Sequence, residues 1–191
     1  MLKTLLRLSP IFLMLVLQGC TAVVATTAMV GADMASDRRT AGMYIEDQRI
    51  EIDARSALNE VAEIAEQSEL SVTSFNRLVL ITGQSPNPAL KNRATAIVRK
   101  IANVRKVHNE VRVKAPSTFM SGTNDAWLTT KTKSLLLAEK DLSSHHVKVI
   151  TENGEVFLMG LVSREEANKA IAVVREIDGV ERVVEVFEYM N

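Results

Sequence analysis

An internal repeat constrains the fold of this chain more than any other feature of its 191 residues. The segment VLITG at 79–83 aligns with VFLMG at 156–160, an offset of 77 residues. The offset becomes 78 upstream and 76 downstream, and it changes where loops are expected. The repeat therefore predicts two similar domains, at about 49–113 and 125–191, joined by a linker at 114–124. Equivalent positions include Ile50/Leu128, Ala54/Thr132, Leu58/Leu136, Ala94/Ala170, Val98/Val174, Ile101/Ile177 and Val104/Val180.

Each repeat unit predicts the element order αββαβ. Its first segment spaces apolar residues along one face of a helix, which in the second unit carries Leu128, Thr132, Leu135 and Leu136. A hairpin follows, since the Asn153-Gly154 dipeptide suits a type I′ turn. The second helix begins with a capping box at Ser163 and Glu166, or with Asn87 and Pro88 in the first unit. A final strand completes an α+β domain, present twice in tandem.

The N-terminus predicts a lipid anchor. Lys3 and Arg7 precede an apolar segment at 11–17, which is too short to span a bilayer and fits a signal peptide at 1–19. Leu17-Gln18-Gly19-Cys20 resembles the lipobox of bacterial lipoproteins, which implies diacylglyceryl and N-acyl (palmitate) groups on Cys20. Thr21 stands where an Asp would resemble an inner-membrane retention signal, so we expect an outer-membrane location facing the periplasm. Residues 20–48 are interpreted as a lipidated tether; an ordinary secretory signal with a chance cysteine is the alternative.

The composition and motifs argue against several functional classes. Lys+Arg and Asp+Glu are balanced at 23 each and aromatics make up 4%, which disfavours a nucleic-acid binder. The single cysteine excludes a disulfide scaffold. No P-loop, dinucleotide or Gly-x-Ser-x-Gly motif is present, and neighbouring His145 and His146 would point apart in a strand. We therefore predict no catalytic residues, no cofactor and no metal.

Three features together resemble the BON domain family: the αββαβ duplication, a glycine in each second strand (Gly83 and Gly160), and the Ile-x-x-Val-x-x-Val pattern before each last strand. With the lipobox, the whole chain resembles outer-membrane lipoproteins that carry two BON domains. The resemblance implies a three-stranded mixed sheet packed on two helices in each domain. It also implies a non-enzymatic envelope protein that binds anionic phospholipid and supports outer-membrane integrity.

The two units differ in ways that point to a binding site. The first carries 10 Lys+Arg and 7 Asp+Glu, the second 8 and 12, so their net charges are +3 and −4. In the first helix, Arg49 and Asp53 of the first unit correspond to Trp127, the only tryptophan, and Lys131. An indole favours the membrane interface, and a lysine adds attraction to anionic headgroups. The predicted phospholipid-binding residues are Trp127, Leu128, Thr130, Lys131 and Ser134.

Two alternatives remain open on the sequence alone. Trp127 could pack against the other domain or against the Phe119-Met120 linker rather than face a membrane. The chain could also be a scaffold for an outer-membrane assembly or a peptidoglycan-remodelling partner, with Trp127 as a hot-spot residue in a protein interface.

Overall fold

The computed structural model describes residues 37–114, 120–140 and 142–190, without the side chains of residues 120 and 121. Residues from Arg38 onward form one compact unit that contains both repeats. The predicted signal peptide, Cys20 and most of the predicted tether lie outside the described residues, as do residues 115–119 of the predicted linker.

The first repeat contains α1 (Ala41–Asn59), α2 (Ala62–Gln67), β1 (Glu69–Phe75), β2 (Leu78–Ser85), α3 (Pro88–Val98), β3 (Lys106–Asn109) and β4 (Arg112–Val113). β1 pairs antiparallel with β2, and β3 and β4 both pair parallel with β2. The predicted last strand is thus interrupted, because the side chain of Asn109 accepts the N–H of Val111 where the ladder breaks. The short helix α2 is an addition to the predicted order.

The second repeat contains α4 (Met120–Ala138), a 3₁₀ turn (Ser144–His146), β5 (Val147–Glu152), β6 (Glu155–Val162), α5 (Arg164–Arg175) and β7 (Arg182–Tyr189). β5 is antiparallel and β7 parallel to β6. The predicted α+β class and tandem αββαβ order, with a mixed sheet in each domain, are confirmed. The capping box of α5 is formed as predicted, with Ser163 and Glu166 each accepting the other's backbone N–H.

The start of α1 corrects the predicted tether, which ended at residue 48. α1 begins at Ala41, and the Thr40 hydroxyl caps it by accepting the N–H of Met43. The polar sequence around Asp47 hid this helix, since Asp47 is a charged residue at a buried position. Similarly, α4 begins at Met120, inside the predicted linker.

Both sheets bury both of their faces. In β2, Val79 and Ile81 pack under the helices of the first repeat, while Leu78 and Leu80 face the second repeat. β6 alternates in the same way, as expected for side chains that point to opposite faces of a strand. A shared apolar layer joins the two sheets, so the layers run helices, sheet, sheet, helices. This shared layer consists of Phe75, Leu78, Leu80, Phe157, Met159 and Val186.

The layer order fixes which surfaces face outward. α1 and α3 cover one outer side of the body, and α4 and α5 cover the other, because each pair packs on its own sheet. The exposed sides of α1 and α4 therefore point in opposite directions.

The two equivalent glycines allow close backbone approach. A Cβ on Gly83 would lie 1.9 Å from the carbonyl oxygen of Glu69, and one on Gly160 would lie 2.3 Å from the carbonyl oxygen of His146. Gly83 also has a φ of +107°, a left-handed conformation that side chains disfavour. The glycine pair recognised in the repeat is thus required by the close approach of β1 to β2 and of the 3₁₀ turn to β6.

Candidate functional site

The outer face of α4 carries the most prominent aromatic side chain of the described residues. Trp127 is 51% exposed, and the Nζ of Lys131 lies 4.8 Å from the centroid of its ring. This spacing of four residues brings the two side chains together one turn apart on a helix. The ammonium and the indole form a cation–π pair at the surface, with the apolar body of the tryptophan beside a positive charge. The prediction that Trp127 lies off the buried stripe is confirmed.

A turn from the end of the second repeat supports Trp127 at one edge. The turn connects α5 to β7, and Gly179 within it has a φ of +92°. A Cβ on Gly179 would lie 3.9 Å from Cζ3 of Trp127 and 3.5 Å from Cδ2 of Leu128. The indole therefore rests against backbone of the 177–181 turn while the remaining half of its surface is open.

The hydroxyl groups beside Trp127 are turned inward to the helix backbone. Thr130 donates to the carbonyl oxygen of Ala126, and Ser134 donates to that of Thr130, both at 2.9 Å. Since these hydroxyl protons are satisfied within the helix, the surface between Trp127 and the end of α4 is less polar than its sequence indicates. Four of the five predicted contact residues, Trp127, Thr130, Lys131 and Ser134, are brought together on or beside this surface.

Leu128 is the exception among the predicted contact residues. Its side chain is fully buried in the core of the second repeat, so grouping it with the surface contacts was wrong. It packs beneath α4 and next to Gly179, and it supports the helix rather than facing a ligand. Leu135 is the opposite case: it was predicted to lie on the buried stripe of the helix, and it is 40% exposed.

Sequence reasoning missed Leu137, which is 67% exposed near the end of α4. The spacing 127, 130, 134, 137 follows one side of a helix, and this spacing was the available signal. We call the side formed by Trp127, Thr130, Lys131, Ser134 and Leu137 the α4 outer face.

The same positions of the first repeat carry a different pair. Arg49 Nε lies 4.0 Å from Asp53 Oδ2, an exposed ion pair where the second repeat has Trp127 and Lys131. The ion pair leaves no net charge and no aromatic surface at this point of α1. The duplication has therefore kept the helix and changed the chemistry of its outward side.

A buried carboxylate holds the start of the α4 outer face in place. Asp125, two residues before Trp127, accepts the N–H of Asn153 at 2.8 Å and that of Gly154 at 2.9 Å. The φ values of Asn153 and Gly154 are 51° and 75°, as the predicted type I′ turn requires. Asp125 therefore joins α4 to the β5–β6 hairpin, and this contact fixes the position of the helix turn that carries Trp127.

The titratable groups near this turn have shifted pKa values. Burial, reinforced by the charges of Asp125 and Glu69, raises the pKa of Glu152. The pKa of Glu155 is lowered despite burial, because Arg182 and Arg112 donate hydrogen bonds to it. Elsewhere, burial and then Lys106 lower the pKa of His108. The shift of Glu155 thus reflects its ion pairs, and the shifts of Glu152 and His108 reflect mainly burial.

The described residues contain neither a membrane-spanning helix nor a cluster of metal ligands. No helix between Asp37 and Met190 that the structure describes is both long and apolar enough to cross a bilayer. Within the same part of the chain, no group of three His, Cys, Asp or Glu side chains could hold a metal ion. Cys20, the predicted lipidation site, lies outside the described residues.

Comparison with known proteins gives consistent matches to both halves. The model of the BON domain family matches residues 46–115 and 124–191. Outer membrane lipoprotein DolP of Haemophilus influenzae is 38% identical over 175 residues, covering 92% of this chain and 91% of the relative. The 21 kDa hemolysin of Actinobacillus pleuropneumoniae is 34% identical over 155 residues, with 81% and 80% covered. A solved structure, the C-terminal domain of CdsD of Chlamydia trachomatis, gives a TM-score of 0.30 at 15% identity, covering 76% of this chain and 67% of that one.

Proposed function

This chain belongs to the BON domain family, and from its two copies of the domain we propose that it is a lipid-anchored outer-membrane protein that binds anionic phospholipid. In this proposal it faces the periplasm, its α4 outer face contacts lipid headgroups, and it supports outer-membrane integrity. The relative named outer membrane lipoprotein DolP supports the location. Neither relative's name describes a reaction, which supports a binding protein rather than an enzyme.

One observation carries the proposal: the exposed Trp127 with Lys131 stacked beside it. Tryptophan favours the boundary between hydrocarbon and water, where its ring is in an apolar layer and its N–H stays hydrated. A lysine near an anionic bilayer gains about 1 kcal/mol from the surface potential. The two side chains thus supply an apolar and an electrostatic contribution at one point.

Lipidation of Cys20 would supply the main anchor. A single acyl chain binds membranes only marginally, so the two or three chains that a lipoprotein carries are needed for stable attachment. The α4 outer face would then act as a second, weaker contact that reads the headgroups. We expect Cys20→Ala to leave an unlipidated protein, and the mass of the mature N-terminus measures this. An unmodified Cys20 thiol in membrane-bound wild type would contradict the anchor.

Vesicle binding tests the lipid site directly. The unlipidated chain without its signal peptide is titrated with phosphatidylcholine vesicles, with and without phosphatidylglycerol. We expect binding to require phosphatidylglycerol and to weaken as salt rises, since salt screens surface charges. Trp127→Glu should abolish most of the binding without lowering the melting temperature, because the ring is half exposed.

Arg49→Glu is the matched control. Residue 49 is the equivalent of Trp127, but it lies on α1, whose exposed side points away from that of α4. It makes a larger change of charge than Trp127→Glu, but we expect it to leave vesicle binding close to wild type. Equal losses in both variants would mean that net charge, and not the α4 outer face, governs binding. A folded Trp127→Glu variant that binds like wild type would overturn the proposed site.

A protein-interaction scaffold is the second candidate function, and exposed apolar residues on α1 favour it. Ile45 and Ile52 are 64% and 58% exposed and lie two turns apart on the outward side of the first repeat. With α4 on a membrane, this side would face away from the bilayer and be available to an envelope protein. Ile52→Ser should leave vesicle binding unchanged under both proposals. If wild type binds no vesicle of any composition, the scaffold becomes the better proposal.

A further inference from the structure

The second domain is net acidic, which opposes its proposed contact with an anionic surface. Several of its carboxylates, however, meet arginines of the first domain at the rim of the shared apolar layer. Arg105 binds Glu188 with two hydrogen bonds, and Arg112 binds Glu155 at 3.0 Å and Glu181 at 3.3 Å. The first domain therefore neutralises part of the charge of the second.

Glu181 is the carboxylate of this set that bears on the α4 outer face. It lies two residues after Gly179, whose backbone supports Trp127. Its own N–H donates to the carbonyl oxygen of Gly154 at 2.8 Å, so the 177–181 turn is tied to the hairpin that Asp125 also holds. The Glu181 side chain lies against Gly154 of this hairpin, since a Cβ on Gly154 would be 3.2 Å from Glu181 Cδ, so its charge belongs to the same turn and hairpin that hold Gly179.

We propose that Arg112 of the first domain is a positioning residue for the lipid site of the second: it holds the Glu181 carboxylate against the inter-domain rim and neutralises it beside the Trp127 turn. This inference rests on the proposed lipid binding. It gives the first domain a role in that binding without any contact between the first domain and lipid.

The contacts around Arg112 allow this role to be separated from folding. Glu155, the buried partner of Arg112, also accepts a hydrogen bond from Arg182 at 2.5 Å, and replacing Arg112 does not remove this second partner. Glu181 is largely exposed, with 67% of its side-chain surface open, so it has no need of Arg112 for solvation. Loss of Arg112 would therefore release the Glu181 charge toward the lipid site while most of the rim stays paired.

The experiment compares Arg112→Gln, Arg112→Lys and the double variant Arg112→Gln/Glu181→Gln in the phosphatidylglycerol vesicle titration. An unneutralised carboxylate near an anionic surface corresponds to about a fivefold loss of affinity at low ionic strength. We expect Arg112→Gln to show such a loss, and both the Lys variant and the double variant to recover most of it. The loss should shrink at about 1 M salt, because the Debye length is then only about 3 Å and charges farther apart are screened from each other.

Arg105→Gln is the matched control, since Arg105 also crosses the domain rim but binds Glu188 rather than the 177–181 turn. It should lower the melting temperature at least as much as Arg112→Gln and leave vesicle affinity within twofold of wild type. A similar loss of binding in both arginine variants would show that domain docking in general is responsible, and would overturn the role of Arg112. So would an Arg112→Gln loss that Glu181→Gln fails to restore.

Glu181→Lys keeps the test decisive if Arg112→Gln does not fold. This variant leaves Arg112 paired with Glu155 and reverses the charge of the turn, so it should bind vesicles more tightly than wild type. Unchanged binding would overturn the inference while leaving the proposed function in place, because wild-type binding and the Trp127→Glu loss are measured separately. If wild type itself does not bind, the proposed function fails first.

Discussion

Asp47 and Asp125 stand 78 residues apart and make the same contact in the two repeats. Each carboxylate is buried on the first helix of its domain and accepts both central N–H groups of a type I′ turn. Asp47 receives those of Asn76 and Arg77, each at 2.7 Å, and Asp125 receives those of Asn153 and Gly154. Their equivalence shows that the turn is held by the helix in both copies, whether its second residue is arginine or glycine.

This relationship predicts unequal costs of removing the two carboxylates. Asp47 also accepts from the Ser74 hydroxyl at 2.7 Å and from Arg39, whose guanidinium is nearly buried. Asp47→Ala would remove the ion pair of that nearly buried arginine and should lower the free energy of unfolding by about 3 to 5 kcal/mol. Asp125→Ala, which removes hydrogen bonds only, should cost about 2 to 3 kcal/mol. Urea unfolding measures both, and a larger cost at Asp125 would contradict this ranking.

Much of each domain could be predicted because its signals are local. The Asn153-Gly154 turn and the Ser163 capping box each occupy neighbouring residues, and both form as predicted. The six-residue helix α2 could not be predicted, since it is too short to establish a period and has no side-chain N-cap. The early start of α1 was missed because Asp47 receives its hydrogen bonds from residues 74–77, which no local pattern reveals.

The α4 outer face was partly predictable for the same reason. Trp127 was placed correctly at the surface, because helical geometry puts it off the stripe of Leu128 and Leu136. Three consecutive residues of a helix point in different directions, so the leucines at 135–137 cannot all face the core. Leu136 is the one that is buried. The continuous apolar run of β6 was the available signal that the second sheet is covered on both faces.

Thr132 predicts a stabilising substitution. Its side chain is fully buried and its hydroxyl has no hydrogen-bond partner, while the equivalent residue Ala54 is buried without a polar group. An unsatisfied buried hydroxyl costs about 1 to 3 kcal/mol. Thr132→Val keeps the shape and removes the polar atom, so the free energy of unfolding should rise by about 1 kcal/mol. A lower melting temperature for Thr132→Val would show that the hydroxyl is satisfied in solution.

Glu166 predicts an acid-dependent loss of stability. The bidentate hydrogen bonds from Arg38, and those from Ser163, lower the pKa of Glu166 to about 2. Because the folded pKa lies below the ordinary value of 4.5, the contribution is complete above pH 4.5 and is lost as the pH falls toward 2. Glu166→Gln should therefore lower the melting temperature at neutral pH and flatten its decline below pH 4.5. Parallel declines for wild type and variant would exclude Glu166 as a source of the acid sensitivity.

Leu137 predicts that the lipid contact extends along α4 beyond Trp127. Its side chain is 67% exposed, more than those of Trp127 and Leu135 on the same helix, and the intervening hydroxyls of Thr130 and Ser134 bond to the backbone. Complete burial of a leucine side chain in a bilayer surface strengthens the binding free energy by about 1.5 kcal/mol or more. Leu137→Ser should thus weaken binding to phosphatidylglycerol vesicles by about threefold to tenfold. The melting temperature should stay at the wild-type value, because the side chain is already open to water.

Ile52→Ser is the control for this prediction. It removes a similarly exposed aliphatic side chain from α1, whose exposed side points away from that of α4. The two variants lose comparable apolar surface, so a non-specific effect of hydrophobicity would weaken vesicle binding equally. A loss confined to Leu137→Ser would indicate that α4 lies along the membrane, with Trp127 and Leu137 as its two contacts. If Trp127→Glu abolishes binding and Leu137→Ser has no effect, the helix instead meets the bilayer with its N-terminal end, and only its first turns reach the headgroups.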